Sequence, residues 1–155
     1  MSVTHTIGIA GLKLIRQPDR IRTVLGSCVG IGVYDRVAKI GALGHVILPS
    51  SEIGSGDRGK FADTAVDWLV DEVLAAGCVR ERIRAKIAGG AFMFGAAAKS
   101  GIGERNIQAV KERLLHHRVP LVAEAVGGEK GRKMMLDPAT GIVEVQVIGT
   151  EAITI

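Results

Sequence analysis

Residues 25–48 read LGSCVGIGVYDRVAKIGALGHVIL, two apolar runs of strand length separated by the polar DRVAK. Short apolar runs around a charged connector predict an antiparallel hairpin. The glycines constrain it further. Gly26, Gly30 and Gly32 lie in the first run, where Gly30 and Gly32 alternate with Val29, Ile31 and Val33. Successive strand side chains point to opposite faces. One face of this strand is therefore β-branched and predicts a core. The other carries Cys28, Gly30, Gly32 and Tyr34. Bare backbone there predicts a trough beside the thiol, where a substrate or another backbone lies close.

The rest of the chain sets the fold class. TIGIAGLKLI and IRTVL precede the hairpin as further strand candidates. Pro49 and SSEIGSGDRGK read as a loop. From 61 to 76, Ala62, Ala65, Val66, Leu69, Val70, Val73 and Leu74 fall on one 3.6-period stripe, and Gly77 stops that helix. IRAKIAGG is a strand candidate. GERNIQAVKERLLHH predicts a second helix, with Glu104 in its first turn and basic residues in its last. VPLVAEAV, RKMML and IVEVQVIG are later strands, the last two joined by a DPATG turn. Strands, two helices, then strands predict an α+β fold in which amphipathic helices cover a mixed sheet system. A length of 155 residues predicts a single domain, 1–155.

Composition narrows the function. Two cysteines without a paired spacing predict free thiols in a reducing compartment. The start, MSVTHTIGIAG, lacks a basic stretch followed by a long apolar one, and IAGGAFMFGAAA is glycine-broken and too short to span a bilayer. A soluble, cytoplasmic protein without membrane insertion is expected. Net charge is +4, with one dense basic cluster, GEKGRK at 128–133. It reads as a solvated loop or as a landing site for an acidic partner. Aromatics at 3% leave few stacking platforms, so nucleic acid is not expected.

The chemistry centres on Cys28. A hairpin register centred between Arg36 and Val37 makes Cys28 and His45 direct cross-strand neighbours, with Cβ atoms about 4.5–5.5 Å apart. A protonated imidazole there favours the thiolate, the nucleophilic form, and later protonates a leaving amine. Gly26 and Ser27 permit close approach and offer backbone N–H groups to an oxyanion. The competing reading is a small buried cysteine beside a core histidine. Cys78, just after the helix stop, reads as structural, and His5 as an exposed terminal residue. His116 and His117 are adjacent, about 100° apart on a helix, and share no metal face. AGGAFMF at 88–94 is either a strand-to-loop connection or a wall of the site. No metal, nucleotide or other cofactor is expected.

TVLGSCVGIGVYD followed by GHVILP resembles the signature of the CheD family of chemoreceptor glutamine deamidases. KFADTAVDWLV, AKIAGGAFMF, IGERNIQAV and AEAVGGEKGRK are similar to that family's blocks, in the same order. The resemblance implies a mixed β-sandwich with flanking helices, similar to the deamidating domain of the cytotoxic necrotizing factor toxins. It implies a Cys-His-Thr site: Cys28 as nucleophile, His45 as acid and base, and Thr23 as the residue orienting His45, with Arg22 the alternative at the third position. It also implies chemoreceptor (methyl-accepting chemotaxis protein) cytoplasmic helices as substrate and a CheC-type phosphatase as partner. A non-enzymatic adaptor with an inert Cys28, and a broader thiol amidase or peptidase, are the rival expectations.

Overall fold

The computed structural model describes residues 1–93 and 101–155. The last residue of the AGGAFMF stretch, Phe94, lies outside the described residues, as do 95–100.

Among the described residues, ten strands build two five-stranded sheets. The first sheet contains β1 (Thr4–Thr6), β3 (Arg20–Leu25), β8 (Arg132–Leu136), β9 (Val143–Val147) and β10 (Ile153–Thr154), in that order. The second has the order β2 (Leu12–Arg16), β5 (Ile40–Val46), β4 (Val29–Asp35), β6 (Arg84–Gly89) and β7 (Leu121–Val126). Each is mixed, because β1 pairs with β3, and β6 with β7, in parallel, while the remaining pairs are antiparallel. Helices α1 (Ala62–Ala75) and α2 (Ile102–His116) form a third layer.

Two cores follow from this layering. Val29, Ile31 and Val33 of β4 pack against Ala65, Val66, Leu69 and Val70 of α1 and Val110 and Leu114 of α2. Burying each such aliphatic side chain contributes about 1.5–3 kcal/mol. Between the sheets, Leu43, Tyr34 and Ala88 meet Ile21, Leu25, Met134, Leu136 and Val145. Strand β4 is central in its sheet and buried along its whole length.

Most expected elements are present. Gly77, at φ +112°, ends α1 as expected, and α2 carries Glu104 in its first turn and Arg113 and His116 in its last. The DPATG turn closes with Asp137 N donating to Ile142 O. One reading is corrected. TIGIAGLKLI is not one strand but parts of β1 and β2, which belong to different sheets. The chain turns between them, with Ala10 at φ +64° and Gly11 N donating to Gly8 O at 2.9 Å. Alternating apolar residues hide such a turn, because the apolar pattern continues through it.

Candidate active site

The β4–β5 hairpin forms, but its register is displaced from the expected one. Asp35 pairs with Ile40, so Arg36–Lys39 make a four-residue turn, and Gly30 rather than Cys28 is directly opposite His45. The displacement moves the partner by two residues, which preserves the face. Cys28 precedes β4 in a bend at residues 26–28. It is diagonal to His45, a placement that spans about 7–8 Å in a regular pair.

The bare face is also corrected. Gly30 and Gly32 do not line an open trough. They face the other sheet, and a Cβ on Gly30 would sit 2.6 Å from Met134 Sδ and 2.9 Å from Leu25 Cδ1. Gly30 leaves room for the Met134 and Leu25 side chains between the sheets, and Gly32 has Met134 and Leu136 above it at ordinary contact distance. Alternation with Val and Ile marks one core but conceals the second, which glycine admits rather than fills. At Gly26 a Cβ would make only ordinary contact with Met93, 3.7 Å away, so sterics do not demand glycine there.

His45 projects from β5 on the same face as Leu43, into the space between the sheets. Thr23 projects inward from β3 of the facing sheet, between the buried Ile21 and Leu25. The two meet at 2.7 Å, Thr23 Oγ1 to His45 Nδ1. Both are buried, with relative exposures of 1% for Thr23 and 3% for His45. Arg22, the alternative third residue, points outward and donates to Thr6 Oγ1 at 3.1 Å.

This contact fixes the imidazole tautomer. The Thr23 hydroxyl has one proton and donates it to Ile7 O at 2.9 Å. Toward His45 it can only accept, so the neutral ring carries its proton on Nδ1 and leaves Nε2 as the basic lone pair. Burial pushes the His45 pKa down. Burial also pushes the Cys28 thiol up, opposed by its own backbone N–H. Both shifts favour neutral forms. Burial at both groups thus works against a thiolate–imidazolium pair.

The bend that carries Cys28 has its carbonyls turned into the protein. Gly26 O accepts from Ala91 N at 3.0 Å and Cys28 O from Gly90 N at 2.8 Å. Ser27 O accepts from Asn106 Nδ2 at 3.4 Å, and the same nitrogen donates to Ile47 O at 3.0 Å. Among the described residues, no backbone carbonyl takes the N–H of Gly26, Ser27 or Cys28, and the Cys28 N–H lies against its own sulfur. Such a row of unclaimed N–H groups beside a half-buried thiol suits an anion or a developing oxyanion.

Asn106 was missed from sequence, although a signal exists. Gly103, Asn106, Val110 and Leu114 form the buried stripe of α2, and Asn106 is its polar member. The remaining candidates lie elsewhere. Cys78 is buried against the α1 core, its pKa pushed up to about 11 chiefly by desolvation. His5 is not an exposed terminal residue, since its Nε2 contacts Asp19 Oδ2 at 2.8 Å. His117 pairs with Asp67, which Arg113 also holds. Among the described residues no three metal-binding side chains cluster. No helix there is long and apolar enough to cross a membrane. In GEKGRK, Arg132 turns inward onto the carbonyls of Ala125, Gly127 and Lys130, which leaves Lys130 and Lys133 as the exposed cations.

Residues 47–147 match a family described as CheD chemotactic sensory transduction, a span that begins two residues after His45. Over 149 residues the chain is 46% identical to a probable chemoreceptor glutamine deamidase CheD of Clostridium botulinum (strain Alaska E43 / Type E3), covering 92% of each. It is 44% identical over 151 residues to the protein of the same description in Clostridium tetani (strain Massachusetts / E88), covering 94% of this chain and 92% of the relative. Among solved structures, Bacillus licheniformis hypothetical protein YfiH is similar at a TM-score of 0.43 and 13% identity, covering 69% of this chain and 46% of that one.

Proposed function

The chain belongs to the CheD family, and from that premise we infer how it performs its reaction, the deamidation of chemoreceptor glutamine side chains to glutamate in chemotaxis. Cys28 is the nucleophile, His45 the general base and acid, and Thr23 the residue that holds the His45 tautomer. The observation that carries this reading is the Ile7–Thr23–His45 chain of hydrogen bonds, which leaves Nε2 basic on the face Cys28 shares.

The steps balance as follows. Cys28 Sγ attacks the side-chain carbonyl carbon of glutamine as His45 Nε2 takes the thiol proton. The tetrahedral oxyanion is met by backbone N–H groups of the 26–28 bend, which Gly26 and Ser27 help to form. The C–N bond then breaks, and the Nε2 proton goes to the departing nitrogen, releasing ammonia. Water attacks the resulting thioester and gives a proton to His45. Cys28 leaves as thiolate and is reprotonated by His45, freeing glutamate. The new negative charge on a receptor helix biases its signalling equilibrium.

Residues 1–155 act as one deamidase domain, because Thr23 and His45 come from different sheets. The receptor's cytoplasmic helices as target imply a cytoplasmic enzyme. Two further expectations follow from the family. One is a CheC-type phosphatase partner, checked by co-purification. The other is kinship with the deamidating domain of the cytotoxic necrotizing factor toxins, which the pairing of two packed sheets with a Cys-His site supports.

The decisive experiment is mass spectrometry of receptor cytoplasmic fragments, with ammonia release measured in parallel. Wild-type protein converts glutamine to glutamate, and folded Cys28→Ala does not, while still binding receptor. A folded Cys28→Ala protein working at the wild-type rate would sink the thiol mechanism.

A further inference from the structure

The Asn106 carboxamide is completely buried, and its use of hydrogen bonds is lopsided. Nδ2 serves two backbone carbonyls, Ser27 O and Ile47 O. Oδ1 is buried with no partner among the described residues. A buried acceptor left unpaired is destabilising, and an apolar residue of similar volume would avoid that cost. What asparagine supplies at this site on α2 is therefore the donor to those two carbonyls, not packing.

Its contact with Ser27 has a geometric consequence. The Ser27–Cys28 peptide is planar and trans, so the Ser27 carbonyl and the Cys28 N–H point in opposite directions. Drawing the carbonyl toward α2 turns the N–H away from α2. That N–H lies beside its own thiol, where it works against the upward shift caused by burial. The second acceptor, Ile47 O, is two residues beyond His45 and steadies the carboxamide from the other side of the site. The neighbouring carbonyls, Gly26 O and Cys28 O, are held by Ala91 and Gly90. Of the three, only the Ser27 carbonyl is held by a side chain among the described residues.

We propose that Asn106 is a positioning residue for deamidation: by holding Ser27 O inward, it aims the Cys28 N–H at the oxyanion formed on the substrate glutamine. Asn106 touches neither the substrate nor the thiol. This role rests on the Cys28 mechanism proposed above and extends it to a residue on the far side of the bend.

The test compares two reactions of Cys28. Deamidation builds an oxyanion, whereas alkylation by iodoacetamide displaces iodide at carbon and builds none. Asn106→Leu keeps the branched outline, with bulkier methyls in place of the amide, and removes both donors. In the variant, kcat for deamidation of a receptor cytoplasmic fragment falls by about 10²-fold, the scale of one lost oxyanion donor, and KM is unchanged. The maximal alkylation rate of Cys28 matches wild type, its pH profile moves upward as the thiol loses the N–H that opposes burial, and the folded variant melts at a lower temperature because Ser27 O and Ile47 O lose their donor. Asn106→Ser, which is too short to reach both carbonyls, gives the same split. Wild-type kcat in either folded variant overturns the proposal. So does a loss of alkylation that parallels the loss of deamidation, because Asn106 would then serve the Cys28–His45 pair or the fold. If neither variant folds, Asn106 is structural and the proposal is likewise overturned. Cys28→Ala in the same assay separates this outcome from failure of the thiol mechanism, which alone would leave that variant active.

Discussion

The Thr23 hydroxyl does two jobs with one proton. It satisfies Ile7 O and thereby becomes an acceptor for His45. Thr23→Val keeps the shape and removes both bonds, leaving a buried carbonyl and a buried N–H unpaired at about 1–3 kcal/mol each. The variant is expected to fold with a lower thermal midpoint and to lose activity. The loss is smaller than that of His45→Ala, where general acid–base catalysis worth about 10²–10⁴-fold disappears. Steady-state kinetics on both variants check the order, and a fully active Thr23→Val removes Thr23 from the mechanism. The lowered pKa of His45 makes a pH prediction. The base works when unprotonated, so the acid limb of kcat/KM lies below the ordinary imidazole value of 6.5. The two thiols differ as well. Cys28 is half-buried, whereas Cys78 is buried and raised to about 11. Rate-resolved alkylation with peptide mapping finds Cys28 labelled first, and equal or inverted rates would count against a catalytic Cys28.

At the scale of elements, the glycines of β4 separate by what lies above them. Gly30→Ala places a Cβ against Met134 Sδ and Leu25, an overpacking that costs about 1–3 kcal/mol. Gly32→Ala finds ordinary contacts at 3.5 Å and beyond, and relief of strand glycine entropy makes it neutral or stabilising by about 0.5–1 kcal/mol. Chemical denaturation of the pair tests the assignment, and equal effects would show that the inter-sheet approach at Gly30 is not tight. The same strand shows what the sequence can express. The Val29, Ile31 and Val33 face announces the helix-side core, and α1 is legible from its stripe because a helix writes its buried face in apolar side chains. The sheet-side core at Gly30 is written in omissions, and the partner that fills them, Met134, lies over a hundred residues away. The Cys28–His45 pairing was legible up to an even slip. The four-residue turn, with Lys39 at φ +59°, shifts the register by two without exchanging faces. Asn106 stands on the buried stripe of α2, which the sequence does show, but its carbonyl partners leave no mark there.

Over the whole molecule, pH acts on folding through groups the layers enclose. His45 titrates lower folded than its ordinary 6.5. As pH falls through that value, the unfolded chain takes up the proton first and stability declines. Asp35 has a fully buried side chain and receives N–H groups from Val37, Ala38 and Val79 and the guanidinium of Arg82. Its pKa falls from 3.8 to about 2, with the bonds to Arg82 and the backbone outweighing burial. The stabilisation it contributes is present above the unfolded value and is lost as pH falls from about 4 toward 2. Thermal midpoints therefore decline in two stages on acidification, and decline again on the alkaline side as pH rises past 9.0, where the unfolded chain ionises Cys78 first. His45→Gln removes the first stage, and a first stage that persists in that variant refutes its assignment. The placement of the proposed nucleophile has a different consequence. The chain crosses from one sheet to the other through residues 26–28, and Cys28 rides on that crossing, with Thr23 on one side and His45 on the other. Sequence drift is thus partitioned. The solvent faces of β3, β8 and β9 are free to diverge among descendants of this gene. The seam from Thr23 to Gly30 must change in concert, because repacking the joint between the sheets moves the chemistry with it.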